Sequence, residues 1–162
     1  MFGCKRILVP SDFSECSERA LLTALAFAIR FDSEVHLLHV TDRPGSKAYE
    51  ANEATAEKMA ALETDENALK QAYESAADRA EEETGLPGLK DKAVHFIVSG
   101  GDPAEEIVRV AEEVHADLIV LGTHGRTSVK DFFVGSTAER VVKRANCAVL
   151  AIKPEGYPYL RD

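Results

Sequence analysis

Apolar positions along this chain follow two rhythms. One is the short, mostly apolar run, seen at Ile7-Leu8-Val9, at Val35 to Val40, at Val94 to Val98, at Leu118 to Leu121 and at 147–152, with histidines interrupting the second and third. Runs of this length, bounded by polar or turn residues, predict strands buried on both faces. Proline at position 10 stops the first strand, which spans 5–10. The others are expected over 34–40, 92–98, 117–121 and 147–152.

The second rhythm is helical. From about Glu15 to Phe31, apolar residues recur as Ala20, Leu21, Ala24, Leu25, Ala28 and Ile29. Leu69, Tyr73, Ala76, Ala77 and Ala80 mark one face of a helix expected over roughly 65–84, and 44–60 is the least readable stretch, open to a loop or a helical extension. Asp102-Pro103-Ala104-Glu105 is a compact helix start with a capping aspartate and proline at the first helical position. Ile107, Val108, Val110, Ala111 and Val114 supply its buried face. A last helix is expected over about 136–144. Strands alternating with helices predict an α/β fold, a doubly wound parallel sheet with helices on both faces.

Charge and composition narrow the function classes. The 162 residues are 45% hydrophobic and 29% charged, the balance of a folded domain. A formal net charge of −9 argues against nucleic acid as a partner, because binding it needs clustered Lys and Arg. No run of about 20 apolar residues exists to cross a membrane. The N-terminus enters a strand-like segment with no apolar secretion signal, so the expected location is cytoplasmic. Cys4, Cys16 and Cys147 lack metal or redox spacing. Cys4 and Cys147 read as small core residues. Cys16 lies near a helix start, where the dipole lowers a thiol's pKa, so it is a candidate reactive group as well as a packing one. His36, His39, His95 and His115 are scattered and suggest no metal cluster.

Two strand ends carry chemistry. Val9-Pro10-Ser11-Asp12 follows the first strand, and a segment from Gly122 to Thr137 follows the fourth. Ligands of doubly wound sheets bind beyond the carboxyl ends of the strands, where strand order reverses. Gly122 permits a sharp exit, and Gly125 and Gly135 let backbone amides approach a ligand. Amides of Ser136, Thr137 and Ala138 at a helix start suit phosphate, with Arg126 and Lys130 nearby. Ser136-Thr137-Ala138-Glu139 is equally a capping box that needs no ligand. Asp12 is open to two readings as well, a ligand contact or the cap of the first helix.

Gly122-x-x-Gly125, nine residues, then Gly135-Ser136 resembles the ATP-binding signature of the universal stress protein family. Ile7 to Ser14, Gly101-Asp102-Pro103 and Asn146 to Leu150 extend the resemblance over 3–42 and 92–153. It implies one domain over 1–153, a variable segment over 43–90 and a tail over 154–162. It also implies a five-stranded sheet in the order 3-2-1-4-5. By position, Asp12 would meet the ribose of ATP. Pro10, Val40 and Leu121 would border the adenine. Gly122, Gly125, Gly135, Ser136 and Thr137 would hold the phosphates, with Arg126 beside them and Mg or Mn bound through phosphate oxygens. Thr137 stands where the family often has an apolar residue, and His124 falls between the first two glycines. No protein metal ligands and no catalytic residues are expected. The implied function is nucleotide-dependent regulation of stress adaptation, by a homodimer joined through strand 147–152. Slow ATP hydrolysis and nucleotide-independent interaction are the alternatives.

Overall fold

A computed structural model describes residues 3–41, 56–85, 88–124 and 135–154. The elements in chain order are β1 (Arg6–Pro10), α1 (Glu15–Phe31), β2 (Glu34–Thr41), α2 (Ala56–Thr84), β3 (Val94–Gly100), α3 (Pro103–Glu113), β4 (Leu118–Gly122), α4 (Ser136–Arg144) and β5 (Ala148–Ile152). The five strands form one parallel sheet in the order β3-β2-β1-β4-β5, as expected.

Alternation along each strand divides the apolar residues between two layers. Ile7, Val9, Val35, Leu37 and Val120 pack against α1 and α2, where Leu21, Leu25, Leu69 and Tyr73 meet them. Leu8, Leu38, Ile119 and Leu121 pack against α3 and α4, through Ile107, Val110, Ala138 and Val141. The interiors of β1 and β4 are thus covered on both sides, which is why β1 reads as three consecutive aliphatic residues rather than as an alternation. Among the described residues no helix is long and apolar enough to cross a membrane.

Local signals set the element ends. Ser14 caps α1, its Oγ accepting from the Ser17 amide at 3.2 Å. The helix closes at Asp32, which takes the left-handed conformation (φ 52°) and donates its amide to the Ala28 carbonyl. Asp117 stands just before β4 rather than in it. Its carboxylate accepts the amides of Lys5 and Arg6 at 2.7 and 3.0 Å, which aligns the starts of β1 and β4.

Three further expectations are corrected. The second helix begins at Ala56, nine residues before the expected start. Residues 56–64 are rich in Ala and Glu, so propensity prolongs the helix beyond its clear apolar stripe. The third strand runs over 94–100 rather than 92–98, because its pairing with β2 continues to Thr41↔Gly100. The histidines are not all scattered, since the same register sets His36 directly beside His95.

Candidate functional site

The carboxyl ends of β1, β2 and β4 open into a cleft of about 580 Å³. It lies where strand order reverses, between β1 and β4. Its volume falls within the roughly 300–1,000 Å³ usual for small-molecule sites. Pro10, Asp12, Val40, Leu121, Gly122, Gly135, Ser136 and Thr137 all line it, together with His124. Gly125, Arg126 and Lys130 lie outside the described residues.

The β1 turn forms one wall. Asp12 Oδ1 accepts the Ser14 amide at 3.0 Å, and Ser14 in turn caps α1. Asp12 therefore shapes the turn before the helix and is not the helix cap. Phe13 holds a left-handed conformation at φ 62°, uncommon outside glycine and asparagine-like residues. Its amide donates to Ser11 Oγ at 3.2 Å, and its ring lies 4.6 Å from that of His39. His39 Nδ1 lies 2.8 Å from the Ser11 carbonyl oxygen. A carbonyl can only accept, so Nδ1 carries the proton. The Ser11 amide also donates to the Leu38 carbonyl at 2.7 Å. These bonds lock the β1 turn to β2 and set Asp12 at the cleft.

The opposite wall is the start of α4. The chain leaves β4 at Thr123, whose amide donates to the Ile152 carbonyl at 2.8 Å. It returns at Gly135, whose amide donates to the Thr123 carbonyl at 2.7 Å. One hydrogen bond thus fastens both ends of the glycine-containing segment at the cleft. Thr123 Oγ1 and His124 Nδ1 are 2.9 Å apart beside it.

Gly135, not Ser136, occupies the N-cap of α4, and no side chain caps the helix. The Glu139 amide bonds to the Gly135 carbonyl at 3.0 Å, while its carboxylate turns away to Lys143 at 2.6 Å. That ion pair holds the Glu139 carboxyl below the usual range. The capping-box reading of Ser136 to Glu139 is therefore set aside, because glycine takes the cap position and has no side-chain acceptor.

The contrast with the neighbouring helices is informative. Ser14 caps α1, and Asp102 caps α3 by accepting the Glu105 amide at 3.0 Å. The other oxygen of Asp102 receives Arg140 at 2.8 Å. These two bonds hold its carboxyl below the ordinary aspartate range, the Arg140 bond contributing most. Of the three helix starts whose caps are described, α4 alone presents its first amides without a side-chain acceptor. Unpaired amides at the positive end of a helix are suited to an anion.

A model of the universal stress protein family matches residues 3–153. The chain belongs to the universal stress protein family. It is 37% identical over 156 residues to universal stress protein MJ0577 of Methanocaldococcus jannaschii, covering 92% of this chain and 94% of that one. The solved structure of MJ0577 aligns with 95% of this chain and 99% of its own at a TM-score of 0.63. Universal stress protein MJ0531 of the same organism is 38% identical over 149 residues, 92% of this chain and 82% of its own. An Archaeoglobus fulgidus universal stress protein solved in complex with dAMP shares the fold, with a TM-score of 0.56 over 94% of this chain and 100% of that one, at 24% identity.

The site of this universal stress protein holds residues the sequence reading did not single out. Asp65 of α2 is 9% exposed and lines the cleft. A signal for it exists, since Asp65 precedes Leu69 by four and so extends the stripe Leu69, Tyr73, Ala76, Ala80 onto a carboxylate. Thr41 and Thr123 are also buried at the cleft. No sequence signal marks these two, because Thr41 is simply the last residue of β2 and Thr123 the first after β4. Cys16, by contrast, is enclosed at 5% exposure, its thiol 3.2 Å from the Ile152 carbonyl oxygen. It reads as a packing residue.

Proposed function

We propose that this universal stress protein binds ATP in the cleft between β1 and β4 and acts as a nucleotide-dependent regulator of stress adaptation. One observation carries the reading: the start of α4, alone among its described neighbours, has no side-chain cap and faces the cleft. The amides of Ser136 and Thr137, with Gly122, Gly125 and Gly135 giving close backbone access, hold the phosphates. Arg126 adds charge beside them. Pro10, Val40 and Leu121 border the adenine, and Asp12 accepts from the ribose. Magnesium or manganese joins through the phosphate oxygens and water. The dAMP complex of the Archaeoglobus relative lends support at the level of the shared fold.

The protein acts as a homodimer joined through β5, by pairing of two edge strands. Support comes from the topology: β5 ends the sheet, and Ala148 and Ala151 on it are exposed. An unpaired, apolar edge invites another strand.

The test is calorimetric titration of nucleotide-stripped protein with ATP and magnesium. One saturable site per chain is expected, lost in Gly135→Val because a branched side chain fills the phosphate space. A folded Gly135→Val protein of unchanged affinity would refute the site. Absence of binding by the wild type would move the function to nucleotide-independent interaction.

A further inference from the structure

The sheet carries a second cluster of chemically capable groups, at the opposite ends of the strands from the cleft. Glu34 and His36 stand at the first and third positions of β2, and His95 at the second of β3. The cleft begins two residues on from His36, at Leu38, about 7 Å along the strand at the usual rise. His36 and His95 are direct register partners, with rings 4.7 Å apart and 18° from parallel. One ligand atom from each of Glu34, His36 and His95 lies within 4.8 Å of the other two. His95 Nε2 is 3.8 Å from a Glu34 carboxylate oxygen.

The state of His36 is the telling feature. The residue is only 9% exposed, and its Nε2 is buried without a hydrogen-bond partner. A buried polar atom left unpaired costs about 1–3 kcal/mol, so such atoms call for an explanation. Burial, and then the neighbouring His95, hold His36 below the usual imidazole pKa.

We infer that Glu34, His36 and His95 form a binding site for a late first-row divalent cation, with Zn²⁺ as its representative. Two imidazoles and one carboxylate are a donor set these ions favour over Mg²⁺ or Ca²⁺, and three protein ligands leave one position for water. Zinc–nitrogen distances of roughly 2.0–2.1 Å in a tetrahedral site place donor atoms about 3.3 Å apart, so the three must draw inward. His36 is held by its packing. The side chains of His95 and Glu34 are 53% and 55% exposed, and turning them out of the present stack requires no repacking of the core. The charged groups around His36 are Glu34, His95 and Arg6, the last from β1. Arg6 is the register partner of Glu34, and its charge opposes a cation. Binding is accordingly expected to be moderate and to strengthen when Arg6 is neutralised. The site is independent of the nucleotide cleft.

The test uses the full chain, stripped of metal and nucleotide, titrated calorimetrically with Zn²⁺ at neutral pH. One ion per chain is expected, with affinity reduced ~10–100-fold or more in both His95→Ala and Glu34→Gln. These positions are half exposed, so the variants keep the fold even where His36→Leu fails to. Gly135→Val is expected to bind zinc as the wild type does, which separates this site from metal carried by phosphates. Co²⁺ in place of Zn²⁺ should give visible absorption bands without the near-ultraviolet thiolate bands that Cys4 or Cys147 ligation would produce. No saturable zinc binding by the wild type, or equal affinity in His95→Ala and Glu34→Gln, would overturn the assignment.

Discussion

Gly122 lies directly against Cys16: a Cβ added at Gly122 would stand 2.9 Å from Cys16 Sγ and 3.0 Å from its carbonyl carbon. This contact seats the first turn of α1 on the end of β4, and so brings the Asp12 turn up to the glycine-containing segment. The thiol is held by the Ile152 carbonyl at 3.2 Å, and the carbonyl carbon is backbone, so neither can simply rotate aside. Gly122→Ala is expected to destabilise the fold by about 1–3 kcal/mol, the usual cost of overpacking. Urea unfolding checks it. An alanine variant as stable as the wild type would show that α1 is not seated by this contact.

Ser136 offers a way to separate capping from ligand binding. It is exposed, and Gly135 takes the cap position in its place. Removing a true N-cap hydroxyl costs about 0.5–2 kcal/mol. Ser136→Ala should therefore change stability by less than about 0.5 kcal/mol, as surface substitutions do. Its affinity for ATP should nonetheless fall. Thermal unfolding with and without nucleotide reads both effects, and a large loss of stability in the apo protein would restore Ser136 as the cap.

The acid limb of the stability curve should depend on Asp102. Arg140 and the Glu105 amide hold its carboxyl below the usual range. The folded-state pKa is thus lower than the unfolded one, so the contribution is complete above about pH 3.9 and disappears as pH falls through the folded value. Glu106 adds to the same limb. Burial pushes its carboxyl up, but hydrogen bonds from Arg109 and Ser99 outweigh this and hold it below the usual range. Asp102→Asn keeps a capping oxygen and removes the charge. Because the pair with Arg140 is partly exposed, the cost at neutral pH should be below about 1 kcal/mol. Denaturant unfolding below pH 4 should show a shallower loss in the variant, and an unchanged slope would exclude Asp102 as a contributor.

The edge strand tests assembly. In a twofold pairing of β5 with its copy, a charge introduced at exposed Ala151 is repeated on the other side of the seam, and the like charges oppose pairing. Ala151→Glu should weaken the dimer at least ~10-fold, about 1.4 kcal/mol. Light scattering at micromolar concentration checks both proteins. A wild type with the mass of one chain would remove the dimer from the proposal.

Much of this architecture was legible beforehand because the signals are local. Ile7 to Val9 and Leu118 to Leu121 are aliphatic without interruption, which only a strand covered on both faces tolerates. The limits of α1 and α4 matched their expected residues, since the Ser14 cap and the breaks in periodicity act within one turn. The early start of α2 was not legible, because Ala and Glu over 56–64 favour a helix without showing which face is buried.

The sequence alone determined the alternation of strands and helices, the strand–turn and glycine elements of the cleft, and the residues placed in them. These follow from side-chain period, propensity and capping, all of which act over a few neighbouring positions. Only the tertiary structure decided which competing short-range option holds. It put Gly135 rather than Ser136 at the cap of α4, and made Asp12 the partner of Ser14 rather than the cap of α1. It brought Asp65 to the cleft and set His36 beside His95. Each of these depends on strand register and helix docking, and those are fixed by the simultaneous burial of residues far apart in the chain, which no single segment encodes.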